Sequence, residues 1–123
     1  MKIRISVGRL SLGAELNDTT TALKIAAALP LRCAFNTWGD EIYFTIPVSA
    51  ALAPNAQETV NVGDLGYWPT GKAFCIFFGP TPMSAGDKIV PASAVNIIGR
   101  ILGDATRFKE VMNESEILVE LWS

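Results

Sequence analysis

The amino-acid sequence predicts a mainly β fold, an antiparallel barrel or sandwich of about eight strands with two short helices. Apolar residues alternate with polar ones over several short stretches, which is the period of a half-buried strand. Turn-forming residues separate these stretches at short intervals, as they do in antiparallel sheets. Helical spacing of apolar residues occurs in two short segments.

The chain begins with a predicted β-hairpin. Alternation over residues 3–7 predicts one strand, and the same alternation over residues 12–16 predicts its partner. Gly8-Arg9 lies between them, and glycine at the first central position suits a type II′ turn.

The best-supported helix is predicted at residues 18–29. Residues 17–19 (NDT) supply side-chain oxygens that can accept hydrogen bonds from the free amides of a helix start. Apolar residues between Ala22 and Leu29 then recur at helical spacing and form one face. Pro30 ends the helix, because its ring lacks an amide hydrogen and collides with the preceding turn.

Residues 31–38 and 41–46 are predicted to be the next two strands, with a turn between them. In the second strand, Glu41, Tyr43 and Thr45 share one face, and the apolar residues between them share the other.

The middle of the chain combines loops with a strongly apolar strand. A loop at residues 49–57 leads to a short predicted strand at residues 66–68. The run at residues 73–78 is apolar on both faces, which is typical of a strand that is buried on both sides. Three prolines within residues 79–93 predict a long loop.

The last part of the chain is predicted to contain two strands with a short helix between them. The strands cover residues 95–102 and 117–121. Asp104 is placed to cap the helix, which is predicted at residues 104–112.

Length, composition and charge exclude several classes of partner. A chain of 123 residues, half of them hydrophobic, is the size of one domain. The net charge is −2 and the basic residues are scattered, so no nucleic-acid partner is predicted. No apolar stretch approaches the ~20 residues that cross a bilayer, so no membrane partner is predicted.

Cys33 and Cys75 stand far apart in apolar surroundings, which predicts a cytoplasmic protein with reduced thiols.

The common catalytic and cofactor motifs are missing. Gly66 and Gly71-Lys72 have the spacing of a phosphate loop, but Ala73 replaces the required hydroxyl and an apolar strand follows where a helix should start. The chain contains no histidine, which removes the usual triads and most transition-metal sites. No catalytic residue, metal ligand or cofactor is therefore predicted.

Two tryptophans beside turns predict a binding groove. Trp38 and Trp68 lie where indole rings often line the mouth of a pocket, although aromatic residues on strands are more often part of a core. Polar residues near them in sequence are candidates for orienting a ligand: Asn36, Asp40, Lys72 and Asn96.

Long segments of the chain resemble the small prokaryotic cyclophilin-like domain family. These segments are residues 36–44 (NTWGDEIYF), 63–69 (GDLGYWP), 71–73 (GKA), 77–79 (FFG), 81–84 (TPMS) and 91–99 (PASAVNIIG). The resemblance covers essentially the whole chain. It implies that residues 1–123 form one domain, a closed eight-stranded antiparallel barrel with a short helix closing each end.

The resemblance also implies where a site would lie. True cyclophilins are peptidyl-prolyl isomerases, and by analogy with their Gln-Phe-Phe strand Phe78 would be a pocket wall. Ile76 stands where that strand has glutamine, and the Phe-His-Arg strand has no counterpart in a chain without histidine. Without the arginine, a groove can bind but cannot stabilise a twisted amide.

Three functional hypotheses follow. The leading one is a non-catalytic module that binds a peptide or small ligand in a groove near Trp38, Trp68, Lys72 and Phe78. The second is a weak peptidyl-prolyl isomerase. The third is a domain used only for assembly, with Trp122 as a contact; the oligomeric state does not follow from the sequence.

Overall fold

The structure is a computed structural model that describes residues 1–122. It contains a nearly closed antiparallel barrel of nine strands, one α-helix and two 3₁₀ segments. The strands β1 to β9 are Lys2–Val7, Leu10–Leu16, Leu31–Ala34, Asn36–Thr37, Glu41–Thr45, Asp64–Trp68, Ala73–Phe77, Asn96–Leu102 and Glu116–Leu121. Helix α1 is Thr20–Ala28, and the 3₁₀ segments are Pro69–Gly71 and Ala105–Val111. None of the helices in the described residues has the length and apolar character that crossing a membrane requires.

The sheet order explains why there are nine strands and not the predicted eight. The order is β3-β9-β1-β2-β8-β6-β7-β5-β4, so its two edge strands are neighbours in the chain. The predicted strand at residues 31–38 is interrupted at Phe35. Its first half pairs with β9 and its second half pairs with β5. One bent segment therefore joins the two edges of the sheet.

The turns and helix ends form as their sequences predict. Gly8 has φ +56° in the turn of the β1–β2 hairpin. The Thr19 side chain accepts a hydrogen bond from the Ala22 amide at the start of α1 (3.2 Å). Asp104 accepts one from the Thr106 amide (3.0 Å), although the helix that it caps is 3₁₀ and not α.

The apolar residues form two separate clusters. The larger fills the barrel and includes Ile42, Phe44 and Ile46, which are the predicted apolar face of the second strand after α1. The smaller lies on the other face of the sheet and includes Cys75 and Phe77. Every residue of β7 is buried, which confirms that this strand is covered on both sides.

Two long loops cover the outer face of β7. Backbone bridges join Gln57 to Val95 and Val60 to Ile89, and they tie the loop before β6 to the loop between β7 and β8. Thr81 and Ser84 hold the second loop from within: the Ser84 hydroxyl accepts a hydrogen bond from the Thr81 amide (2.9 Å). The outer cluster is therefore closed by loops and not by a second sheet.

Substitution of two strand glycines, Gly13 and Gly99, can test how closely neighbouring strands of the barrel approach each other. A Cβ at Gly99 would overlap with the backbone carbonyl of Glu15 on the adjacent strand, whereas a Cβ at Gly13 would meet only the ring of Trp122. Trp122 is 44% exposed and can move aside. We expect Gly99→Ala to lower the free energy of unfolding by about 3 kcal/mol and Gly13→Ala by about 1 kcal/mol, measured by urea denaturation. Equal losses would contradict the close approach of the Glu15 carbonyl to Gly99.

Candidate ligand-binding site

A cavity of about 270 Å³ lies on the outer face of the barrel wall. Its floor is formed by Glu41 and Tyr43 from β5 and by Cys75 from β7. In the β5–β7 register, Tyr43 is directly opposite Cys75, and Glu41 is opposite Phe77. Glu41 and Cys75 are therefore diagonal neighbours on one face, close enough for their side chains to interact.

One wall of the cavity is Trp68, at the end of β6, together with residues of the loop before β8. The Trp68 indole nitrogen donates a hydrogen bond to the Ser93 hydroxyl (2.6 Å), which fixes the ring against that loop. Pro91, Ala92 and Val95 complete this side. The wall is thus almost entirely apolar.

Trp38, in the tight turn that precedes β5, also lines the cavity. The Trp38 amide donates to the Glu41 carbonyl (2.9 Å), and the Asp40 amide donates to the Pro80 carbonyl (2.9 Å). A Cβ at position 79 would overlap with the Asp40 carboxylate, so glycine there allows the turn to lie close to the following loop. The same turn therefore positions both Trp38 and Glu41.

Glu41 is the charged residue of the cavity. The side chain is buried, and the whole residue is only 6% exposed. Burial raises its pKa to about 7, and the neighbouring Cys75 thiol offsets part of that rise. The ion pairs among residues 1–122 do not include Glu41. Its carboxyl group therefore meets the cavity without a cation from the described part of the chain.

Cys75 contributes a neutral surface. Burial raises the pKa of its thiol well above the ordinary value, and the nearby Glu41 carboxyl raises it further. The nucleophilic form of cysteine is the thiolate, which this environment disfavours. The side chain is therefore part of the cavity floor and not an activated nucleophile.

Of the predicted groove residues, the structure brings Trp38 and Trp68 together in this cavity. Phe78 lies elsewhere: it is fully buried in the barrel core, and its ring centroid is 5.8 Å from that of Phe108. The Asn96 amide is also occupied, since its oxygen accepts from the Ala53 amide (2.8 Å) and its nitrogen donates to carbonyl and hydroxyl groups.

The other three predicted residues lie outside the cavity lining. Asn36 is exposed on β4, and the Asp40 carboxylate is 3.7 Å from the Lys109 ammonium. Lys72 is exposed with φ +48°, and β7 begins directly after it. The near-match to a phosphate loop is thus followed by a strand, as predicted, and offers no helix N-terminus to a phosphate.

Sequence reasoning missed the floor of the cavity. Glu41 and Tyr43 were placed correctly on one face of their strand, but that face was not recognised as covered. The available indication was the apolar run of β7, since a neighbour of a doubly buried strand is itself partly covered.

In residues 1–122, no group of three or more His, Cys, Asp or Glu side chains is arranged to hold a metal ion.

The fold and the sequence define the family. The family model described as Cyclophilin-like matches residues 1–120, and the chain belongs to that family. The solution structure of the hypothetical protein AF2241 from Archaeoglobus fulgidus is 42% identical, with a TM-score of 0.82 over 99% of this chain and 95% of that one. The structure of McbB in complex with tryptophan is 15% identical, with a TM-score of 0.69 over 97% of this chain and 44% of that one. No curated protein matches the sequence.

The burial of Glu41 predicts a specific dependence of stability on pH. Its pKa is about 7 in the folded protein, against an ordinary value of 4.5 that we assign to the unfolded chain. Between these values the unfolded chain releases the proton first, so the free energy of unfolding falls as the pH rises from about 4.5 to about 7. The loss is on the order of 3 kcal/mol, since one pH unit corresponds to about 1.4 kcal/mol.

Replacement of Glu41 by glutamine should remove this loss. Relative to wild type, Glu41→Gln should gain stability as the pH rises from 4.5 to 8, as measured by urea denaturation at several pH values. Glu58→Gln, at an exposed position, is the control for loss of a negative charge. A stability difference between Glu41→Gln and wild type that stays constant over this range would show that the Glu41 pKa is not raised.

Proposed function

We propose that this protein is a binding module that takes up a small organic ligand or a peptide side chain in the cavity on its outer face. The observation that carries the proposal is the lining itself: the aromatic residues Trp38, Tyr43 and Trp68 surround a space of about 270 Å³ with one buried carboxyl at its floor. Apolar walls with one or two convergent polar groups are the usual composition of small-molecule sites.

A weak peptidyl-prolyl isomerase is the less favoured alternative. Rotation about a prolyl peptide bond must overcome amide resonance, a barrier of ~18–20 kcal/mol, and a catalyst needs a donor at the twisted amide. The cavity lining contains no arginine or lysine, and the Glu41 carboxyl offers a donor O–H only while it is protonated, below its pKa of about 7. Phe78, which resembles the cyclophilin pocket wall, packs inside the barrel. These features favour binding over catalysis.

The McbB structure indicates one compound to include in a ligand screen. That protein holds tryptophan, and at 15% identity it shares the fold with this chain. Tryptophan therefore belongs in the first set of compounds, beside proline-containing peptides and a general metabolite library.

We expect such a screen to identify ligands that perturb the cavity. In a chemical-shift titration of labelled protein, the largest changes should fall on the residues around Trp38, Glu41 and Val95. For any ligand found, Trp38→Ala should weaken binding by roughly tenfold or more, as expected for loss of an aromatic contact. Trp122→Ala is the matched control, because Trp122 lies against Gly13 and Arg4, away from the cavity. Shifts located elsewhere, or equal effects of the two variants, would refute the proposal.

The isomerase alternative has its own test. In a protease-coupled assay on Xaa-Pro peptides, we expect no acceleration even at high protein concentration. Acceleration that Trp38→Ala abolishes and Trp122→Ala preserves would assign isomerase activity to this cavity and would overturn the binding-only proposal.

A further inference from the structure

The floor of the cavity carries a charge that the rest of the structure leaves unpaired. Glu41 is buried beside Tyr43 and Cys75, and the ion pairs of residues 1–122 lie elsewhere. The neighbouring Cys75 thiol donates its hydrogen bond to the Ala73 carbonyl (3.8 Å). Burying a carboxyl group without a cation costs free energy, and packing alone would be better served there by an apolar residue.

Aromatic residues are concentrated around this carboxyl group. Trp38 and Trp68 both line the cavity, and Tyr43 lies next to Glu41 on the same strand face. The negative faces of aromatic rings attract ammonium groups, most strongly for tryptophan and in sites shielded from water. A carboxylate beside several aromatic rings is therefore complementary to a positively charged organic group.

We propose that the ligand of this cavity is a small organic ammonium ion, with Glu41 as its counter-charge and the rings of Trp38, Tyr43 and Trp68 around its apolar body. This inference rests on the proposed function and narrows the ligand to one chemical class. The volume of about 270 Å³ is just below the 300–1,000 Å³ typical of drug-sized pockets. The amine is accordingly a small molecule.

Because Glu41 supplies the negative charge, the affinity of the cavity for an ammonium ion should depend on pH. The titratable groups that face Glu41 are Tyr43 on its own strand and the Cys75 thiol on β7. Its chain neighbour Asp40 is paired with Lys109. Burial raises the pKa of Glu41 to about 7 and holds Cys75 in its neutral form. An aliphatic amine stays protonated up to pH ~10, so affinity should rise with the fraction of ionised Glu41.

Two probes that differ in a single group test the inference. Phenethylamine and phenethyl alcohol share an aromatic ring and a two-carbon chain, and only the first is a cation at neutral pH. At pH 8 we expect wild-type protein to bind the amine at least tenfold more tightly than the alcohol, measured by chemical-shift titration. Between pH 6 and pH 8 the affinity for the amine should rise by about tenfold, as a carboxyl with a pKa of about 7 ionises.

Glu41→Gln keeps the size of the side chain and removes its charge. In this variant the affinity for phenethylamine should fall at least tenfold and lose its dependence on pH, while the affinity for phenethyl alcohol should change by less than about twofold. The comparison of the two probes on wild-type protein does not depend on how well the variant folds.

The outcomes separate this inference from the function on which it rests. Equal binding of the two probes, or amine binding that Glu41→Gln leaves intact, would refute ammonium recognition and leave the cavity as a site for neutral ligands. Failure of both probes to shift cavity resonances would also refute it. The binding function itself fails only if the whole compound library and the proline peptides leave the cavity unperturbed.

Discussion

The burial of β7 on both faces is the constraint on which the rest of the structure depends. Phe74 and Ile76 point into the barrel core, while Cys75 and Phe77 point out of it, and all four are buried. A strand of this composition is stable only if something covers its outer face, because exposed apolar surface costs roughly 25 cal/mol per Å². In this protein the cover consists of two loops tied together by backbone bridges at Val60 and Val95. The cavity lies on this outer face, between the sheet and the loop residues Pro91, Ala92 and Val95.

The same cover changes the chemistry of the neighbouring strand. Glu41 belongs to the face of β5 that lies beside Cys75, so the loops that bury β7 also remove the Glu41 carboxyl from water. The resulting desolvation raises its pKa, and the ion pairs among residues 1–122 leave this carboxyl without a cationic partner. The loops that cover the outer face of β7 therefore account both for the burial of that strand and for the raised pKa of Glu41. Membership of the cyclophilin-like family establishes the barrel, whereas the site follows from the residues on its outer face.

Much of the fold was predictable from sequence because each element depends on a local pattern. Alternation of apolar and polar residues predicted most of the strands, Pro30 predicted the end of the helix, and the apolar run of β7 predicted burial on both sides. The break at Phe35 was not predictable, since it arises where one segment must pair with β9 and then with β5. The two tryptophans of the cavity were identified from their positions beside turns. The burial of Glu41 was missed because it depends on loops that are distant in sequence. Phe78 was placed in the groove by its resemblance to the cyclophilin Gln-Phe-Phe strand, and an apolar run without alternation gave no independent indication of which side of the strand it occupies.

The most direct test of these relationships is a pH titration of the Glu41 side-chain carboxyl carbon by ¹³C NMR, with the resonance assigned by its loss in Glu41→Gln. A midpoint near 7 would show that the loops hold this carboxyl in a water-poor cavity without a cation. A midpoint near the ordinary value of 4.5 would show that water or a basic side chain reaches it, and would contradict the electrostatic basis of the site.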